Sequence, residues 1–242
     1  MNIIFRVLHH FVDFFYPPIC LVCGDKINLD YKSAKNPHIV STEFCCAKCK
    51  SRITFVENIN KTIIDIIPNY DPDDFAITNA ISLFKNTIDP PIINLIYALK
   101  YRGYTRIGLE YGQWLGEVLI SEKMTDYDYI VPVPIHSARK RERGFNQSDL
   151  IAQGINKILK IKIAFDLLKK TKYTFSQTSL SISERLQNLK NIFVFNEKYN
   201  VTGKKILLVD DVITTGSTLN NCALVLLENK AQQVDVATLL KA

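Results

Sequence analysis

A chain of 242 residues, 47% apolar and 22% charged, suits one large domain, or a domain with a small module, around a real core. Its 30 basic and 24 acidic residues leave a formal net charge of +6, mild enough to suit phosphates or nucleic acid without specifying either. No apolar run of about 18 residues is present to span a bilayer, and no small-residue cleavage site follows the apolar N-terminus, so the expectation excludes an integral membrane protein and a secreted one. The six cysteines include two close clusters, which in an intracellular chain point to metal rather than disulfides.

Met1–Tyr16 place Ile4, Leu8, Phe11 and Phe15 at helical spacing, and Pro17 and Pro18 stop the helix. The polar side offers only Arg6, His9, His10 and Asp13, too few cations for a membrane-surface anchor. The reading is a helix packed on its own protein, with a seat at the periphery of the inner membrane as the alternative. Cys20-Leu21-Val22-Cys23-Gly24 then forms one knuckle, and Cys45-Cys46-Ala47-Lys48-Cys49 a second. Each CxxC turn aims two sulfurs at one point. Cys20, Cys23, Cys46 and Cys49 thus give four thiolates at zinc-ribbon spacing, a closed set that makes the zinc structural. A pairing of Cys45 with Cys49 is the looser alternative, so Cys45 is expected in a buried apolar position. A redox dithiol is the competing reading. The module is expected over residues 1–55, with a second domain over 56–242.

Ile53–Tyr70 reads as connector and Phe75–Phe84 as a strand. Pro90–Tyr101 reads as a helix ended by Gly103, and Arg106–Ile120 as a second helix. Tyr129–Pro134 is a strand that runs into a cationic loop from His136 to Gln147. A helix over Asn146–Lys160 follows, and Ile161–Leu168 reads as another strand. A strand ending in such a loop places charge at the carboxyl edge of an α/β sheet, where open sheets bind ligands. There Arg139, Arg141 and Arg143 can grip a pyrophosphate, face a nucleic-acid backbone, or simply form a solvated loop. Thr171–Asn191 is a long polar loop of the kind that closes over a ligand, with Gln177 and Arg185 turned inward. Phe193–Phe195 returns to the core, and Val234–Leu240 supplies a last strand. This alternation predicts an α/β fold with a parallel sheet flanked by helices.

Lys205–Asn220, KILLVDDVITTGSTLN, organises the rest. The apolar run predicts a buried parallel strand ending at Asp210. Gly216 allows a tight turn, and Ser217 or Thr218 caps a helix over Leu219–Glu228. Unsatisfied N–H groups and the helix dipole favour an anion there, and Thr214, Thr215, Ser217 and Thr218 add hydroxyls. Asp210 and Asp211 can accept hydrogen bonds from a sugar diol. The stretch resembles the 5-phosphoribosyl-1-diphosphate (PRPP) signature of type I phosphoribosyltransferases. The plainer reading is a strand and helix joined by a polar turn; a Walker B strand lacks its partner GxxxxGK(S/T).

The order of motifs is CxxC, CxxC, LKYRG at Leu99–Gly103, PVP at Pro132–Pro134, RGFNQ at Arg143–Gln147, then LLVDDVITTGST. It resembles the ComF family over nearly the whole chain. The resemblance implies a zinc module on a type I phosphoribosyltransferase domain, in a cytoplasmic protein that handles single-stranded DNA beside competence and recombination proteins. It also implies roles. Asp210 and Asp211 contact the ribose. Thr214, Thr215, Gly216, Ser217 and Thr218 cradle its 5′-phosphate. Arg139, Arg143 and the closing-loop Arg185 serve the pyrophosphate, and Mg²⁺ accompanies PRPP. No stretch reads as a base-recognising hood. Three functions therefore compete: DNA handling with a PRPP site, an active phosphoribosyltransferase, and a PRPP sensor without catalysis. For DNA, the candidate contacts are Tyr101, Tyr104 and Phe145 near Arg102, Arg106 and Arg143.

Overall fold

Alternating apolar faces on four strands set the architecture of the computed structural model, which describes residues 18–27, 44–56, 60–86, 91–171 and 192–242. The strands are β1 (Ala80–Lys85), β2 (Tyr129–Pro132), β5 (Lys205–Ile213) and β6 (Gln233–Lys241). They form one parallel sheet in the order β1-β6-β5-β2. Two shorter strands, β3 (Leu168–Lys170) and β4 (Phe193–Phe195), pair antiparallel beside it.

Both faces of the sheet are covered, so its central strand is apolar on both sides. Leu207 and Val209 of β5 share one cluster with the helices α3 (Pro91–Tyr101), α4 (Thr105–Ser121) and α6 (Gln147–Leu159). Ile206 and Leu208 share the other with α7 (Ser217–Glu228), with Ile66 of α2 (Asn60–Ile66) and with the β3–β4 pair. The crossing of α4 and α6 is unusually close: a Cβ at Gly112 would lie 2.3 Å from the Ile151 carbonyl oxygen, and one at Gly154 2.3 Å from that of Leu109. Only glycine fits either place.

The cysteine module, which contains the one-turn helix α1 (Ala47–Lys50), joins this core. Cys20, Ile27, Phe44, Cys45, Cys49 and Ile53 are buried in the same cluster as α3 and α4. The chain leaving it pairs with the outer edge of β1, where Lys85 donates to the Thr54 carbonyl and Val56 to that of Leu83. Phe55 stacks on Phe84 and Trp114 at ring distances of 5.5 and 5.0 Å.

Several local expectations are corrected. The connector contains α2 and two single-turn helices, Ile67–Asn69 and Pro72–Asp74, and β1 starts only at Ala80. The cationic loop after β2 is itself a helix, α5 (Ser137–Arg143), capped by His136, whose Nδ1 accepts from the Ala138 N–H at 3.2 Å. Ile161–Leu168 is not one strand: Ile163 bridges to Ile130, and β3 begins at Leu168. β5 continues past Asp210 to Ile213, because Asp210 and Val212 keep their register with Thr238 and Leu240 of β6. The cap of α7 is Gly216 at φ +83°, in the left-handed region, rather than Ser217 or Thr218. The expected N-terminal helix and the loop bearing Gln177 and Arg185 lie outside the described residues.

Candidate phosphoribosyl site and four-cysteine centre

The carboxyl end of β5 carries Asp210 and Asp211 to the sheet edge. Asp211 is 3% exposed, and its Oδ2 lies 2.8 Å from the Lys100 Nζ at the end of α3. Asp210 Oδ1 accepts from the Ser148 hydroxyl at 2.8 Å and from the Asp211 N–H at 2.9 Å. Burial, and then the neighbouring charge of Asp211, push the Asp210 carboxyl up to about 7; Ser148, the Asp211 N–H and Lys100 oppose that rise. Two adjacent carboxylates held this way accept hydrogen bonds strongly when ionised, and one takes up a proton near neutrality.

The loop Thr214–Gly216 then turns onto the N-terminus of α7. Thr214, Thr215 and Thr218 are exposed and Ser217 half-buried, so their side chains are accessible beside the first helical N–H groups of α7. Thr215 Oγ1 lies 3.2 Å from Ser217 Oγ and accepts from the Ser217 N–H at 3.4 Å. The connector supports this loop. Tyr70 donates its hydroxyl to the Thr215 carbonyl at 3.0 Å, and burial lifts its pKa to about 12, so the donor stays protonated. Asn220 donates to the Asp74 carbonyl at 2.7 Å and accepts from the Ala76 N–H at 2.8 Å.

Beside the Asp pair, an open cleft of about 360 Å³ is lined by Lys100, Tyr101, Gly103, Arg139, Glu142, Arg143 and Phe145. Arg139 and Arg143 thus come together as expected, whereas Arg141 is not among the lining residues. The RGFNQ motif builds one wall. Gly144 (φ +84°) ends α5, and Asn146 caps α6 by accepting from the Ser148 N–H at 3.3 Å. Asn146 also donates to the Val133 carbonyl at 3.0 Å, which ties α6 to the end of β2. Gln147 accepts from Arg143 Nη1 at 2.7 Å, and the guanidinium lies over the Tyr101 ring at 4.9 Å. Tyr97, which the sequence reading passed over, stacks on Tyr101 at 4.8 Å and carries Arg102 at 5.6 Å. Tyr97 and Tyr101 are 51% and 60% exposed. Arg106 instead pairs with Glu110, and Phe145 packs against the core.

Cys20, Cys23, Cys46 and Cys49 bring their sulfurs within 4.8 Å of one another, with Cys23 and Cys46 at 3.7 Å. A tetrahedral centre with metal–sulfur distances of about 2.3 Å needs sulfurs about 3.8 Å apart, so the donor set fits a thiophilic ion. Burial opposes ionisation of Cys20, yet backbone N–H groups of Cys46, Cys23 and Val22 outweigh it and bring the thiol to about 6. Cys45 stands outside the set, fully buried, and burial lifts its pKa to about 12. The tighter CxxC pairing is the one the structure brings together.

Residues 147–242 match the model of the phosphoribosyl transferase domain. The chain is 40% identical over 114 residues to Competence protein F of Haemophilus influenzae, covering 47% of this chain and 50% of that protein. It is 38% identical over 151 residues to the DNA utilization protein YhgH of Escherichia coli, covering 61% and 66%. It is 32% identical over 115 residues to Competence protein ComFC of Bacillus subtilis, covering 47% and 44%. The matches thus span about half to two thirds of these relatives. The solved glutamine PRPP amidotransferase of B. subtilis overlaps 55% of this chain and 26% of its own at 23% identity and a TM-score of 0.39, too low to carry an argument. The chain carries a type I phosphoribosyl transferase domain with a four-cysteine module at its N-terminal side. With these relatives, it belongs to the ComF family. Among the described residues no helix is long and apolar enough to cross a membrane.

Proposed function

We propose that the protein binds PRPP with Mg²⁺ at the β5 edge, holds structural zinc in its four-cysteine centre, and handles single-stranded DNA in the cytoplasm. The observation that carries the ligand is the Asp210–Asp211 pair set directly before the Thr214–Thr218 loop. The carboxylates suit a ribose diol, and the loop on the α7 N-terminus suits its phosphate. Arg139 and Arg143 border the cleft where a diphosphate would lie. The carboxylate oxygens are the hard donors magnesium takes, and the ion would neutralise charge on the diphosphate. Four thiolates in a closed set favour zinc over harder metals.

The ladder Arg102–Tyr97–Tyr101–Arg143, with both tyrosines exposed and Arg143 half-buried, supports the nucleic-acid part. Aromatic faces interleaved with guanidinium groups suit stacked bases and their phosphates. The relatives' names, competence and DNA utilization, point the same way. The test is fluorescence anisotropy of labelled single-stranded DNA over a salt series, with and without PRPP–Mg²⁺. Salt-sensitive binding that weakens at least about tenfold when Tyr97 and Tyr101 are both replaced by Ala supports the reading, since stacking is worth about 1–3 kcal/mol per base. No binding at low salt refutes the DNA role. Release of diphosphate from PRPP in the presence of a base or amine would assign an enzyme instead.

A further inference from the structure

The geometry points to Lys100 as a ligand-binding residue of the phosphoribosyl site, one that leaves Asp211 for the diphosphate end of the ligand. The inference rests on the PRPP reading above and adds a residue and an exchange of partners to it. Lys100 stands at a junction. Its Nζ lies 2.8 Å from the buried Asp211 Oδ2, and the same residue lines the cleft with Arg139 and Arg143. Its side chain keeps 23% of its surface, so the ammonium is reachable from the cleft while it holds the carboxylate.

Two electrostatic facts make the exchange favourable. First, Lys100, Arg139 and Arg143 all line the cleft, and Glu142 is the one acidic residue among its lining, an arrangement that attracts a polyanion. Second, Lys100 occupies an oxygen of Asp211 that a ribose hydroxyl would use. A lysine ammonium is a compact charge on a flexible four-carbon stem, able to swing between two neighbouring anions without backbone movement. When the diphosphate enters, the ammonium moves to it, and Asp211 Oδ2 becomes free to accept from the sugar. Both new contacts are charge-assisted, and together they replace the single Lys100–Asp211 pair of the empty site.

The exchange predicts opposite effects on two ligands. Calorimetric titration of the full, metal-loaded chain would compare PRPP–Mg²⁺ with ribose 5-phosphate, which lacks the diphosphate. Lys100→Met should weaken PRPP–Mg²⁺ by at least about tenfold, the worth of one charge-assisted hydrogen bond. It should leave ribose 5-phosphate binding unchanged or tighter, because Asp211 is released. Lys100→Arg, which keeps the charge, should restore most of the PRPP affinity and also serves if the methionine variant does not fold. Equal weakening of both ligands would show a structural role and overturn the inference, as would unchanged PRPP binding. A wild-type chain that binds neither ligand overturns the PRPP reading itself, and this inference with it.

Discussion

Replacing Asp210 by Asn tests the electrostatics of the site through stability rather than through a ligand. Burial and the charge of Asp211 lift the folded carboxyl from its ordinary value of 3.8 to about 7. A carboxyl raised on folding keeps its proton in the folded state while the unfolded chain has already released it. Its stabilising contribution is therefore complete below about pH 4 and is lost as the pH rises through about 7. A shift of about three units at 1.36 kcal/mol per unit makes the native Asp210 a burden of about 4 kcal/mol at pH 8 and about 2 kcal/mol at pH 5. Asparagine has nearly the same shape, its Oδ1 can still accept from Ser148 and the Asp211 N–H, and it never ionises. Urea unfolding should then find Asp210→Asn more stable than wild type at pH 8, with an advantage about 2–3 kcal/mol larger than at pH 5. Comparing the two proteins at each pH cancels the titrating groups that do not interact with Asp210. A stability difference that stays constant between pH 5 and pH 8 would refute the account of Asp210. The same variant should lose PRPP binding, as expected of a carboxylate kept for its ligand at the expense of the fold.

Three further predictions follow from particular contacts. Cys23→Ser or Cys49→Ser should release the metal and loosen the packing of Phe44 and Ile53; one full equivalent of zinc retained in both variants by atomic spectroscopy would refute the four-thiolate centre. Gly112→Ala should destabilise by about 2 kcal/mol in a thermal melt, since a Cβ 2.3 Å from the Ile151 carbonyl oxygen meets backbone that cannot move aside, and overpacking of that kind outweighs the roughly 1 kcal/mol alanine gains in a helix. An unchanged midpoint would mean that α4 and α6 are not in that contact. Tyr70→Phe removes the donor to the Thr215 carbonyl, so ribose 5-phosphate affinity should fall several-fold while stability drops by only about 1 kcal/mol; unaltered affinity would show that the loop holds its shape without Tyr70.

The parallel sheet was legible in the sequence because its central strand is buried on both faces and therefore reads as an uninterrupted apolar run. The larger helices were legible through apolar spacing and, for α3, the end signal Gly103. What escaped were the short elements. α2 and α5 each span seven residues, too short for a periodic pattern to stand out, and α5 is mostly charged. The length of β5 escaped for a different reason. Two adjacent aspartates disfavour a strand locally, yet pairing with β6 on through Ile213 satisfies their backbone groups and overrides that preference.

The candidate site divides along the same line. The Asp pair and the Thr214–Thr218 loop are contiguous in sequence, so their chemistry could be read there. Ser148, Tyr70 and Lys100 act on that stretch from distant segments, and nothing local to them marks a polar partner. Their placement depends on helix packing. Ser148 stands in the first turn of α6, and Lys100 ends α3, which leads directly into α4. α4 and α6 approach as closely as they do because Gly112 and Gly154 carry no side chain where each faces the other's backbone. Two glycines inside helices, which cost helix stability when read locally, therefore fix how near Ser148 and Lys100 come to the two carboxylates. On this argument Gly112→Ala should disturb the site as well as the fold: separating the helices draws Ser148 away from Asp210, and ligand affinity should fall even at temperatures where the variant remains folded.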